Sequence, residues 1–292
     1  MGDEGSQRAS TPDELESIVE LFRDAMRSGA IGLASSSNEN HRGAGGIPIA
    51  SRLATDEEFK TLAKVLGEYD HGVFMATFGE RHSIPFLEEL CKLSGKPGFY
   101  APHFHFTHQP DRATNIMNMA KEARCRGIPV YTQGSCQPLS LTFPLDKAYI
   151  LKAMRPWPST EDHAELRRIF ADKTFRDDFR ETLKKPDSQH VFKGRWDWVP
   201  IAVAGLEKNA NLVGRTIADI ANERNQDPLD TFLDIGLEEN FATRFTFFML
   251  NMDEKGVAEL ISNDGTLISL SDAGAHNALL CDAGYAMHLF GH

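Results

Sequence analysis

Two short segments of this sequence combine residue types that can hold a metal or move a proton. Ser271-Asp272-Ala273-Gly274-Ala275-His276 follows the apolar run Thr266 to Leu270, so Asp272 stands just past the C-terminal end of a predicted strand. Parallel sheets and barrels gather ligands and catalytic groups at that edge. A carboxylate there can bind a metal or act as a general base; capping a helix or ordering a turn is its alternative role. Gly274 permits close backbone approach, and His276 and Asp282 follow in the same segment. The second segment, His103-Phe104-His105-Phe106-Thr107-His108, puts three imidazoles at the exit of a strand near residue 99. In extended chain His103 and His105 share a face, and neutral imidazoles suit zinc. The competing reading is that these rings pack a loop or hydrogen-bond a carbonyl.

Other residues carry weaker signals. Glu80 follows a strand exit and can orient a ligand or simply face solvent. His41 lies between Ser35-Ser36-Ser37-Asn38-Glu39-Asn40 and Arg42-Gly43-Ala44-Gly45-Gly46, a segment that resembles a mobile substrate loop or a merely solvated one. The glycines there are no phosphate loop, because Ile47-Pro48 follows in place of a Lys-Ser/Thr pair. No serine lies in a GxSxG elbow. His288 and His292 belong to an apolar stretch and read as structural.

The elements that position these residues alternate. Thr11-Pro12-Asp13-Glu14 offers a capping hydroxyl, a proline at the first helical position and the glutamate of a capping box. A helix to about Ser28 is predicted, with Leu15, Ile18, Val19, Phe22 and Met26 on one stripe. Short apolar strands are expected near residues 31, 73, 99, 128 and 267. Helices are expected from Thr55 to about Tyr69, from 84 to 93 and from 110 to 126, and later over 216–223, 228–239 and 253–261. That grammar argues for parallel βα units. From Pro138 to about Asn211 the pattern lapses, apart from a charged helical stretch from Glu161 to Leu183, and reads as an irregular insertion. Both ends read as cut: Gly2 to Ser10 is weakly patterned, and the chain stops at Phe290-Gly291-His292 inside an apolar run.

Composition excludes several classes. With 31 basic against 42 acidic residues the net charge is -11, and no basic run exceeds a dipeptide, so nucleic acid would be repelled. Hydrophobic residues make up 41% and charged residues 25% of the 292, which is globular, and no apolar run reaches a membrane span. The first residues lack a basic n-region and an apolar core, so the cytoplasm is the expected compartment. Cys91, Cys125, Cys136 and Cys281 show no CxxC spacing and read as reduced structural thiols. A small molecule is the expected partner.

Several segments together resemble the N-acyl-D-amino-acid deacylase branch of the amidohydrolases. They are Ala30-Ile31-Gly32-Leu33-Ala34-Ser35-Ser36, Pro48-Ile49-Ala50-Ser51-Arg52-Leu53-Ala54, Gly72-Val73-Phe74, Asp227-Pro228-Leu229-Asp230 and Leu270 to His276, the last continued by Leu280-Cys281-Asp282-Ala283-Gly284-Tyr285. The resemblance implies an α/β fold, a partial (β/α)8 barrel over 1–292 whose five strands are the fourth to eighth, without the family's small β-domain. It implies one or two divalent metals, usually zinc, that activate a water, with Asp272 as base and acid and as a metal ligand, and His103 or His105 as a further ligand. His276 and His41 are then candidates for substrate binding. The chain departs from the pattern in two places. The family's first-strand HxH has no counterpart here, and Met75-Ala76-Thr77-Phe78-Gly79-Glu80 holds no histidine where the fifth strand should supply one, so the metal site is expected to be incomplete. The implied activity is hydrolysis of a non-peptide C–N bond in linear N-acyl amino acids. A cyclic amide or carbamoyl substrate, or a truncated barrel that binds a ligand or partner without turnover, are the rival readings.

Overall fold

The computed structural model describes residues 1–39, 41–43, 47–77, 79, 81–152, 154–184, 192–271 and 283–292. These divide into two compact units, one of residues 1–136 and 253–270, the other of 137–252 and 271–292.

The first unit begins with helix α1 (Pro12–Arg27), which starts where its capping box predicts. The Glu14 amide donates to Thr11 Oγ1 at 3.3 Å and the Thr11 amide to Glu14 Oε2 at 2.8 Å, so two backbone donors that the first turn would leave unpaired are satisfied. Strand β1 (Gly32–Ser36), α2 (Asp56–Leu66), β2 (Val73–Thr77), α3 (Ile84–Ser94), β3 (Gly98–His103), α4 (Pro110–Cys125) and β4 (Val130–Gly134) follow in strict alternation. Gly95 closes α3 in the left-handed conformation, φ 65°, with its amide donating to Cys91 O. All five expected strands form, with ends shifted by a residue or two. The fifth comes from the far end of the sequence and is named below with its sheet.

Those five strands make one parallel sheet in the order β1-β2-β3-β4-β8, where β8 is Thr266–Ile268 and is preceded by α10 (Glu254–Ile261). The order follows the sequence with no reversal. Gly32 pairs with Val73 at φ 150°, and a Cβ there would overlap the Val73 carbonyl, so this position requires glycine. The helices pack an apolar layer on the sheet in which Phe22, Met26, Phe59, Leu66, Phe74 and Leu87 are buried. Each such side chain removed from water contributes about 1.5–3 kcal/mol, which offsets the entropy of ordering the chain. Because every pair is parallel, the C-terminal ends of all five strands lie along one edge.

The second unit differs from the sequence expectation of an irregular insertion at 138–211. It holds a three-stranded antiparallel sheet in the order β5-β7-β6, made of β5 (Leu139–Pro144), β6 (Ile201–Val203) and β7 (Arg244–Leu250). The interruption runs on to 252 because β7 pairs with β5, Thr142 lying opposite Thr246. Around this sheet stand α5 (Tyr149–Lys152), α6 (His163–Ala171), α7 (Lys173–Lys184), α8 (Ile217–Arg224) and α9 (Pro228–Glu238). The expected charged helix is two helices, since Asp172 between them is extended, ψ 124°. Phe232, Phe245, Phe247, Phe192 and Trp196 fill its core, and α11 (Tyr285–Gly291) belongs to the same unit. No helix among the described residues is long and apolar enough to cross a membrane.

Candidate functional site

Several buried polar residues of the first unit, among them Ser36, Ser37, His103 and His105, lie at or just past the C-terminal ends of its strands. His103 is the last residue of β3 and is 1% exposed. Its Nε2–H donates to the carbonyl of Ala113 in α4 at 3.2 Å, which places the proton on that nitrogen because a carbonyl only accepts. The lone pair then lies on Nδ1, which is buried and has no hydrogen-bond partner. Burial pushes the imidazole pKa down to about 4, the bond to Ala113 works against this, and the Arg112 charge lowers it further. His103 is therefore a neutral imidazole with an open nitrogen.

His105 is also buried, but it lies past the end of β3, so strand alternation does not relate it to His103. The register between β3 and β4 is also irregular from Tyr100 to His103. The His105 ring packs against Gly256 in α10, where a Cβ would overlap it, and its Nε2 stands 3.8 Å from Asp253 Oδ2. The two imidazoles are thus anchored on different helices. Among the described residues no three His, Cys, Asp or Glu side chains converge as a metal cluster. Asp272, His276, Asp282 and Glu80 lie outside the described residues.

His41 is exposed, and it is tied down: its Nδ1 and Ser36 Oγ are 2.6 Å apart, and its carbonyl accepts from Arg52 at 3.2 Å. Beside it lies a relay that no motif in the sequence singles out. His82 is buried, with Nδ1 2.9 Å from Ser37 Oγ and Nε2 2.9 Å from Asp56 Oδ1, and it stacks on Phe86. The bond to His82 holds the Asp56 carboxyl below its ordinary range. Ser37 and Asp56 lie 45 and 26 residues from His82 along the chain, so no local motif announces them. The relay fixes the exits of β1 and β2 to the start of α2. His288 and His292 stack on each other at 4.9 Å in and just after α11.

No family model matches this chain. No curated protein sequence matches it either. Among solved structures it is similar to a D-aminoacylase studied for its binuclear metal centre, at 16% identity and a TM-score of 0.45. It is likewise similar to the N-acyl-D-glutamate deacylase of Bordetella bronchiseptica, complexed with zinc and a phosphonate inhibitor, at 14% identity and a TM-score of 0.46. A further D-aminoacylase structure, described as defining a novel subset of amidohydrolases, shares 17% identity at a TM-score of 0.46. Each alignment covers 91% of this chain and 44% of the other, so the chain spans less than half the length of these structures.

Proposed function

We propose that this chain carries part of the active site of a metal-dependent amidohydrolase that cleaves the amide C–N bond of N-acyl amino acids. The observation that supports it best is His103, a buried neutral imidazole at a parallel-strand exit with its Nδ1 open and its Nε2–H fixed on a backbone carbonyl. Metal-ligating histidines characteristically donate their second nitrogen in this way, which sets the ring orientation and the tautomer. That open nitrogen suits a divalent metal; His105, the nearest further imidazole in sequence, and Asp272, the carboxylate that follows β8, are assigned as further ligands from the sequence alone. On this reading the sequential parallel sheet is an arc of a (β/α)8 barrel, its strands standing for the fourth to eighth.

A zinc ion held there would supply a Lewis acid and acidify a bound water. Asp272 is assigned the proton traffic: its carboxylate accepts a proton from water and returns it to the leaving nitrogen. His276 and His41 are assigned to the substrate, His41 from the loop that Ser36 steadies. The N-acyl amino acid class rests on the sequence resemblance.

In the full-length protein, assayed with added zinc on a panel of N-acyl D- and L-amino acids, hydrolysis should be abolished by a chelator. Asp272→Asn should lower kcat roughly 100- to 10,000-fold with KM changed much less, since the amide cannot take or return the proton. Near-normal turnover by Asp272→Asn would remove that residue from the mechanism, and no hydrolysis of any panel member would remove the substrate class.

A further inference from the structure

A cleft of about 420 Å³ opens in the first unit beside His82, between the first turns of α3 and α4. Its floor is apolar, formed by Ile84, Tyr100, Ile116 and Met119, and its polar rim includes Arg112 and Asn115. Among the described residues no carboxylate lines it. Arg112 is its formal charge, and among the described residues that guanidinium has no ion pair: its recorded contact is with the face of Phe106, 4.6 Å from the ring centroid. In a chain with net charge -11, most guanidiniums find a carboxylate, as Arg8, Arg23, Arg124, Arg126, Arg176 and Arg180 do here. Arg112 is held by a ring that orients it and leaves its fork of donors available.

We propose that this cleft is a binding site for a small amphipathic carboxylate, its acid group on Arg112 and Asn115 and its aliphatic or aromatic body on the apolar floor. The volume is at the small end of ligand sites, and at roughly 30 Å³ per water it has room for on the order of ten non-hydrogen atoms. Arg112 offers two parallel N–H donors to a carboxylate, and the Asn115 amide can donate a third hydrogen bond. An uncharged amide of the same shape keeps the apolar contact and loses the charge-assisted pair. The proposal does not depend on the metal reading, because no lining residue is a proposed metal ligand.

The test is calorimetric titration of the whole chain with 4-phenylbutyrate and, separately, with 4-phenylbutyramide. Saturable binding of the acid to one site is expected, with the amide weaker by about tenfold or more, as loss of a charge-assisted hydrogen bond implies. Arg112→Gln should make acid and amide bind alike, Arg112→Lys should keep part of the preference, and a chelator should leave the acid's affinity unchanged. No saturable binding, or equal affinity for acid and amide in the unaltered protein, would overturn the proposal without recourse to any variant. Undiminished acid binding by a folded Arg112→Gln would overturn it as well.

Discussion

Glu239 of the second unit and His103 of the first are buried polar groups satisfied in opposite ways. In the second, Glu239 is 3% exposed and its carboxylate accepts from the Gly205 and Leu206 amides, from Asn209 Nδ2 and from Thr243 Oγ1. Burial pushes that carboxyl up, yet the four hydrogen bonds outweigh it and leave the pKa below its ordinary range. Arg176 and Arg180 of α7 are likewise matched to Asp230 and Asp234 of α9. In the first unit His103 is as deeply buried but half satisfied, with an open nitrogen at the sheet edge. A buried polar atom without a partner costs free energy, about 1–3 kcal/mol. Asp146 Oδ1, the second unit's own exception, belongs to a carboxylate whose other oxygen meets His163 at 3.0 Å. The contrast is between a carboxylate that accepts four hydrogen bonds and an imidazole that makes one.

The largest effect that can break this comparison is expected at Glu239. Glu239→Ala should destabilise the second unit by about 3–5 kcal/mol, because it strands buried donors in apolar surroundings. Glu239→Gln, which keeps the shape, should cost less. Denaturant unfolding followed by tryptophan fluorescence measures both, since Trp157, Trp196 and Trp198 all lie in that unit. A loss below about 1 kcal/mol for Glu239→Ala would mean that the network is ornamental.

A somewhat smaller effect sharpens the other side. His103 binds its proton less readily folded, at a pKa of about 4, than unfolded, at about 6.5. Between those values the unfolded chain holds the extra proton, so His103 contributes stability above pH 6.5 that is lost as pH falls towards 4. The total is on the order of 3 kcal/mol. His103→Asn, titrated alongside the unaltered protein, should show a flatter fall over that window. Parallel pH profiles would mean that His103 ionises freely and is not buried as described.

The first unit was largely legible in the sequence, because its signals are local. Thr11 and Thr55 mark helix starts by their own chemistry, and short apolar runs alternating with capped helices read as buried parallel strands. The second sheet was not. Leu139-Ser140-Leu141-Thr142-Phe143 does alternate, but its partner Phe245-Thr246-Phe247-Phe248 lies about a hundred residues on, and no local rule joins them. At the site, His103 and His105 stand out as a motif. Their separation onto α4 and α10 depends on β3 ending at His103, which the sequence does not reveal. The Ser37–His82–Asp56 relay is a product of the fold alone. Asp272 and His276 were legible in the sequence and remain assigned from it.

Nitrogen-detected NMR of the histidine rings shows whether His103 offers Nδ1 to a metal, the proposal on which the metal reading rests. Before metal is added, His103 should be the Nε2–H tautomer and stay unprotonated down to about pH 4. Zinc should then shift its Nδ1 resonance while Nε2 keeps its proton, and His103→Asn should weaken zinc uptake. An Nδ1 that is protonated at pH 6, or one that does not respond to saturating zinc, would contradict the account.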